Sequence, residues 1–243
     1  MKQAYFKVIS NKRIAKNVYE MKLEGDTSAI ITPGQFVNIK IEGEFLRRPI
    51  SICDYDDKTL TLIYKVVGKG TSIMSAMQEG TWLDILVGLG NGFNTMESGE
   101  SPVLIGGGVG VPPMYRLAKD LISEGKTVSV ILGFNKEEEI FYAEEFEKIG
   151  AKVYVTTVDG SVGTKGFVTD VLKNLEYSYF YTCGPEPMLK AVYGTSTTSG
   201  QLSFEERMGC GFGVCMGCSC KTKYGNKRIC ADGPVLVKEE IIW

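Results

Sequence analysis

Four cysteines near the C-terminal end carry the clearest chemistry in this 243-residue chain. Cys210, Cys215 and Cys218 fall in a glycine-spaced run, and eleven further residues separate Cys218 from Cys230. The C-x4-C-x2-C…C spacing is the plant-type pattern for a [2Fe-2S] cluster, in which a tight loop wraps one side and a distant thiolate closes the other. Gly209, Gly211, Gly213 and Gly217 would give that loop the backbone freedom to turn its amides toward sulfide. A structural zinc site also uses cysteine quartets, usually as two separated C-x2-C pairs; only Cys215 and Cys218 make such a pair here. Spacing therefore favours iron and sulfide over a lone zinc. Cys220 lies too close to Cys218 for the cluster loop and is left out of the ligand set.

Composition narrows the rest. There is no histidine, which removes Ser-His-Asp and Cys-His nucleophilic machinery together with histidine metal ligation. A chain without these tools but with a redox centre is expected to leave the hard steps to bound cofactors. A net charge of −2 with no long basic run gives no footprint for nucleic acid. No apolar stretch approaches the roughly 20 residues that span a bilayer, so no membrane is expected. The opening residues Met-Lys-Gln-Ala-Tyr-Phe-Lys do not read as a secretory signal, and seven cysteines, an odd number, do not read as a disulfide framework. A reducing cytoplasm is the expected location.

Two kinds of element must position this chemistry. Up to about residue 98 short apolar-polar alternations recur at Tyr5 to Ile9, Val18 to Leu23, Phe36 to Ile41, Thr59 to Val67 and Trp82 to Val87, which predicts an antiparallel barrel or sandwich. One short helix, Ser72 to Met77, interrupts it. From Ser101 strands alternate with helices at Pro112 to Ser123, Glu139 to Lys148, Phe167 to Leu175 and Glu186 to Ala191. That pattern predicts a parallel sheet covered on both faces, with a ligand crevice beyond the strands' C-terminal ends. The expected organisation is α+β and multidomain: an antiparallel β-barrel over 1–98, an α/β parallel-sheet nucleotide domain over 99–204 and a small cluster domain over 205–243.

Glycine turns supply the nucleotide signals. Gly106-Gly107-Gly108-Val109-Gly110 follows a strand and opens a helix, where glycines let the backbone approach a pyrophosphate. It departs from G-x-G-x-x-G because Val111 stands where the third glycine would be, and an ordinary strand-helix turn could look similar. Cys183-Gly184-Pro185 forms a second such turn at the same sheet edge; it also reads as a helix start with proline in the first turn. In the β half, Arg47-Arg48-Pro49-Ile50-Ser51 sets guanidinium groups beside a hydroxyl, and Gly70-Thr71 opens the short helix. An edge-strand arginine and a capped helix would present the same residues.

Together these motifs resemble the ferredoxin-NADP+ reductase superfamily. With Glu205-Glu206-Arg207-Met208-Gly209-Cys210 leading into the cysteine run, and Asp232-Gly233-Pro234-Val235 following Cys230, the chain is similar over essentially its whole length to the electron-transfer subunits of class 1B dihydroorotate dehydrogenases. The resemblance implies FAD held by Arg48, Pro49, Ile50, Ser51, Ile63, Tyr64, Lys65, Gly70 and Thr71. It implies NAD positioned by Gly106, Gly107, Gly108, Val109, Gly110, Cys183, Gly184 and Pro185, with Glu205 on the nicotinamide side. It implies a [2Fe-2S] cluster on Cys210, Cys215, Cys218 and Cys230, and an FMN-containing dihydroorotate dehydrogenase catalytic subunit as partner in a heterotetramer of two of each. Electrons would then pass from dihydroorotate to NAD+, a step of pyrimidine biosynthesis. A sister reading keeps the cofactors and changes the partner to a glutamate-synthase-like, hydrogenase or sulfite-reducing complex. A reading from another class is a non-catalytic, nucleotide-responsive zinc knuckle. The acidic segment after Asn135 would repel a 2′-phosphate and so favours NAD over NADP. The short interval between Cys218 and Cys230 departs from the commoner family pattern and bears on the shape of the partner-facing loop.

Overall fold

Strict alternation over the first strands closes a barrel. In the computed structural model, which describes all residues 1–243, β1 (Lys2–Ala15), β2 (Val18–Glu24), β3 (Phe36–Ile39), β4 (Arg48–Tyr55), β5 (Thr59–Lys65) and β6 (Trp82–Leu89) pair antiparallel in the order β1-β2-β5-β4-β3-β6. β1 is long enough to serve two neighbours, pairing with β6 over Lys2 to Lys7 and with β2 over Lys7 to Ala15, with irregularities after Val8 and Arg13. Such bulges let one strand bend around a barrel corner. Inward residues Phe6, Met21, Leu23, Val37, Ile39, Leu60, Leu62 and Ile85 fill the interior. Helix α1 (Lys69–Ser75) buries Met74 against this core, and Asn11 Nδ2 donates to the Met74 and Met77 carbonyls at 2.9 and 3.1 Å.

The second half alternates as its periodicity demands. β7 (Val103–Gly107), α2 (Pro112–Ser123), β8 (Ser129–Phe134), α3 (Ala143–Lys148), β9 (Lys152–Thr157), β10 (Thr164–Lys165), α4 (Val168–Leu172), β11 (Phe180–Cys183), α5 (Glu186–Thr195) and β12 (Gly200–Ser203) follow in chain order. The six strands pair in parallel in the order β10-β9-β8-β7-β11-β12. α2 and α3 bury Met114, Leu117, Leu121 and Phe146 on one side, while α4 and α5 bury Val168, Val171, Leu189 and Val192 on the other. A helix predicted to begin at Glu139 begins instead at Ala143, after a single 3-10 turn over Glu137–Glu139. Phe141 is buried and Tyr142 adopts φ 67°, with its hydroxyl donating to Glu20 Oε2 at 2.7 Å, so contacts to the barrel override local helix propensity.

The C-terminal segment is not a free-standing globule. After the hairpin of β13 (Ser219–Thr222) and β14 (Gly225–Arg228), β15 (Val235–Val237) pairs antiparallel with β12 as a seventh strand, giving the otherwise parallel sheet a mixed edge. Asn91 N donates to the Gly233 carbonyl at 2.6 Å, which ties this segment to the end of the barrel as well.

Barrel and sheet meet through α2. The Arg116 guanidinium lies 4.0 Å from the Tyr55 ring centre, donates to the Tyr55 carbonyl and to Asp120 Oδ1 at 2.8 Å, and faces Asp54 at 3.6 Å. Replacing Arg116 by Met leaves that carbonyl and Asp120 short of a partner, while Asp54 keeps Lys119 at 2.7 Å. Arg116→Met is expected to cost about 1–3 kcal/mol in urea unfolding. An unaltered midpoint would show that the interface does not depend on this contact.

Candidate functional site

Two clefts open between barrel and sheet. The first, about 310 Å3, is lined by Arg48, Pro49, Ile50 and Ser51 of β4, by Ile63, Tyr64 and Lys65 of β5, and by Thr71. The antiparallel pairing of β4 with β5 brings these two sequence runs side by side. Gly70 is absent from the wall. It lies beneath Arg48, where a Cβ would stand 2.2 Å from Nε, so its lack of a side chain lets the guanidinium cross the start of α1. Glu44 holds that guanidinium at 2.5 Å and Lys69 at 2.9 Å. The Thr71 hydroxyl accepts from the amides of Val67 and Gly68 at 3.0 and 3.2 Å and donates to the Gly68 carbonyl, so it closes its own turn. Arg47 faces elsewhere, bound to Asp84 at 2.9 Å and to the Asn38 carbonyl at 3.3 Å. The Tyr64 hydroxyl donates to Asn11 Oδ1 at 3.0 Å, and burial pushes its phenol above the usual range.

The second cleft, about 590 Å3, lies at the C-terminal ends of the sheet strands, where the alternating pattern predicts a crevice. Gly107, Gly108, Val109, Gly110, Gly184 and Pro185 line it. Gly106 and Cys183 sit one layer behind. A Cβ on Gly106 would stand 2.8 Å from the Val111 Cα, and one on Gly110 would stand 2.2 Å from the Cys183 carbonyl oxygen. The two turns are therefore pressed backbone to backbone, with Gly110 as the required spacer. Burial pushes the Cys183 thiol up to about 12, although a Ser203 hydrogen bond opposes it.

Lys65, Val109 and Glu205 belong to the walls of both clefts, so ligands in the two would meet there. Glu205 keeps an exposed face toward the open clefts, yet the surrounding walls displace enough water to push its carboxyl above the ordinary value. Of the acidic segment after β8, only Asn135 and Glu139 reach the second cleft. Burial raises the Glu139 carboxyl, but donation from the Asn135 side chain at 2.9 Å and amide at 3.2 Å, with Lys65 Nζ at 3.5 Å, outweighs it and holds the group below its usual value.

The cysteine quartet adjoins the first cleft. Asn38 pairs across β3 and β4 with Pro49, and its Nδ2 donates to the Cys210 carbonyl at 3.3 Å. Met208 and Pro234, which flank the cysteine segment at its two ends, are themselves part of the cleft wall. The four cysteines fall into two neighbouring couples. The Cys215 amide donates to Cys210 Sγ at 3.5 Å, and Cys218 Sγ lies 3.2 Å from Cys230 Sγ. Pairs of thiolates are what a two-iron unit takes, one pair to each iron, and amides aimed at sulfur tune such a centre. Further N–H to S contacts run from Gly217 to Cys215 at 3.5 Å and from Cys230 to Cys218 at 3.4 Å. Burial raises the Cys210 thiol, but the amides of Cys215, Phe212 and Val214 reverse this and bring it to about 6. Burial and the neighbouring Cys218 thiol push Cys230 up to about 12. The residues fit a [2Fe-2S] cluster by donor type, pairing and amide direction. Cys220 stands apart on β13, opposite Lys227.

The loop glycines divide by role. Gly211 and Gly213 have φ of 78° and 93°, as the turn requires, whereas Gly209 and Gly217 do not. Those two give space instead, since a Cβ there would lie 3.3 and 3.5 Å from Cys215 Sγ. Met216 takes the other left-handed position, with φ 60°. Sequence reasoning missed Phe36, Phe204, Met208 and Pro234 in the first cleft and Thr156, Phe167 and Met188 in the second. Met208 and Pro234 carried a usable signal in their closeness to the cysteines; the others reach the site only through strand register.

Comparison with known proteins accords with this geometry. Residues 205–242 match the iron-sulfur cluster binding domain of dihydroorotate dehydrogenase B, and residues 104–193 match the oxidoreductase NAD-binding domain. A solved structure of an NADH-dependent reduced ferredoxin-NADP oxidoreductase, described for flavin-based electron bifurcation, superposes with a TM-score of 0.89 at 29% identity, over 98% of this chain and 90% of that one. The dihydroorotate dehydrogenase B (NAD+) electron transfer subunit of Fusobacterium nucleatum subsp. nucleatum is 44% identical, covering 96% of each chain. That of Lysinibacillus sphaericus is 45% identical, covering 98% of each. With likeness of this degree from end to end, and with the thiolate pairs seated against a barrel cleft, this chain belongs to the electron transfer subunits of NAD+-dependent dihydroorotate dehydrogenase B.

Proposed function

We propose that this chain carries electrons from the FMN of a dihydroorotate-oxidising catalytic subunit through a [2Fe-2S] cluster and FAD to NAD+. The observation that carries the reading is one of adjacency: the thiolate pairs adjoin the Arg48 to Ser51 strand through Asn38, and that strand's cleft shares Lys65, Val109 and Glu205 with the nucleotide cleft. FAD supplies the conversion, since it exchanges a hydride with nicotinamide and single electrons with a cluster.

The chain's own residues supply position. Pro49, Ile50 and Ser51 form the wall against which the flavin ring lies, and Arg48 offers its guanidinium to phosphate. Gly107 to Gly110 and Gly184 to Pro185 let a dinucleotide approach the backbone, with Gly106 and Cys183 fixing the spacing from behind. Glu205 faces the place where the two cofactors meet. Glu139, kept ionised by Asn135 and Lys65, repels a 2′-phosphate and selects NAD+ over NADP+. Functionally the chain divides as 1–98 for flavin, 99–204 for NAD and 205–243 for the cluster.

The catalytic subunit docks over the cluster loop, in a heterotetramer of two of each chain in the cytoplasm. Phe212, Val214 and Met216 surround exposed Cys215 with side chains 41, 74 and 54% accessible, an apolar rim suited to a protein interface. No helix is long and apolar enough to cross a membrane.

Anaerobic mixing with an FMN-containing catalytic subunit tests the reading. Added dihydroorotate and NAD+ should yield NADH absorbance that neither chain gives alone, and the isolated chain should contain iron, sulfide and FAD. Zinc without sulfide, or no NADH from a fully loaded mixture, would set the reading aside.

A further inference from the structure

We propose that Phe45, on the loop between β3 and β4, stacks on the adenine of bound FAD, with Arg48 and Lys69 taking its diphosphate. The inference rests on the flavin reading above and concerns the half of the cofactor that the cleft does not enclose. At about 310 Å3 the cleft stands at the low end for pockets that surround a drug-sized ligand. It has room for a tricyclic ring and its sugar chain, not for a second heterocycle with its ribose. The adenosine must therefore leave the cleft. On one side Val109 and Glu205 form the wall shared with the nucleotide cleft, which NAD requires. The other side runs past Arg48.

Two loops come together there. The Arg48 guanidinium lies against Gly70, donates to the Leu46 carbonyl and meets Glu44 at 2.5 Å. Lys69 meets the same Glu44 at 2.9 Å, so one carboxylate holds two cations side by side. A diphosphate, with more charge and more acceptor oxygens, replaces that carboxylate between them. Immediately beyond stand Phe45, fully exposed, with Val67 at 79% and Leu46 at 43%. Scattered apolar side chains on a surface mean little. An aromatic ring without protein contacts, next to a paired cation site at the open end of a flavin cleft, has the chemistry of a stacking platform for a base.

The test uses the full-length protein with its cluster in place, freed of flavin by mild chaotrope and titrated anaerobically with FAD, FMN and riboflavin while flavin fluorescence is followed. Phe45→Ala should weaken FAD roughly tenfold, the effect of losing one base-aromatic stack, and leave FMN and riboflavin unchanged. Phe45→Tyr should restore FAD affinity. Unchanged FAD affinity in Phe45→Ala would overturn the proposal. So would equal weakening of all three flavins, which would make the loop part of the ring pocket. Normal FAD affinity with failed assembly on the catalytic subunit would assign Phe45 to the partner interface instead. Wild-type protein that binds no FAD at all would sink the flavin reading itself.

Discussion

Cys215→Ser is expected to cut dihydroorotate-driven NADH formation in the assembled complex by roughly two orders of magnitude, while NADH oxidation with ferricyanide stays within about twofold. The separation follows from where Cys215 stands. It is exposed on the outer side of the loop, between Val214 and Met216, and no part of the flavin or nucleotide cleft contains it. Cys218 and Cys230, each 2% accessible, pack with Phe36, Ile229 and Leu236 in the core that joins barrel to sheet. Replacing either of those would leave a hydroxyl in an apolar site and disturb the cleft wall at Phe36, so both activities would fall together. The clean variant is therefore the exposed one. Ferricyanide takes electrons from the flavin without needing the cluster, and stopped-flow reduction by NADH reads the same step directly. Equal loss of both activities in Cys215→Ser would mean that the cluster acts as a structural staple and not as the route for electrons.

What the sequence made legible was whatever is local. The cysteine spacing, the glycine turns and the helix from Pro112 to Ser123 are written within short windows, and the fold places them as read. The boundaries that moved did so where distant contacts decide. α1 begins at Lys69 because the Thr71 hydroxyl bonds back to Val67 and Gly68. α3 starts late because Tyr142 reaches Glu20 on the barrel strand β2. The cluster segment looked like an appendage by composition. Its strand β15 in fact completes the nucleotide sheet, since Val235 to Val237 pair with an edge that the parallel order leaves open. The cleft residues that escaped notice share this origin. Phe36 reaches the first cleft only through its pairing with Ser51, and Phe204 only because Pro234 accepts its amide at 2.9 Å. Periodicity assigns a residue to a face; it does not say which distant strand lies opposite.

The second large effect lies at Gly110. A methyl group there would stand 2.2 Å from the Cys183 carbonyl oxygen, 2.4 Å from its carbon and 2.6 Å from the Gly184 nitrogen. All three are backbone atoms at the end of β11, which the parallel pairing with β7 holds in register through Gly106 and Cys183. No rotamer change relieves such a contact. The two turns must part by about an ångström, and Gly184 and Pro185 then leave their places in the nucleotide cleft. Misplacement by that distance costs on the order of 100-fold in rate where two reacting groups must meet, so kcat/KM for NADH with ferricyanide should fall about that far in Gly110→Ala. Overpacking should also lower unfolding stability by about 1–3 kcal/mol. Iron content should stay at the wild-type level, because no cysteine of the quartet is among the atoms that the new methyl meets, and FAD content is measured alongside because Val109 of this turn also walls the first cleft. Gly150→Ala serves as the control: its φ of 95° makes a side chain uncomfortable, but nothing lies within 4 Å of the new methyl and the residue lines neither cleft. It should lose stability on the order of 1 kcal/mol and only a small part of its NADH activity. If Gly110→Ala kept its NADH kinetics with flavin fully bound, the nicotinamide nucleotide would have to enter somewhere other than between these two turns.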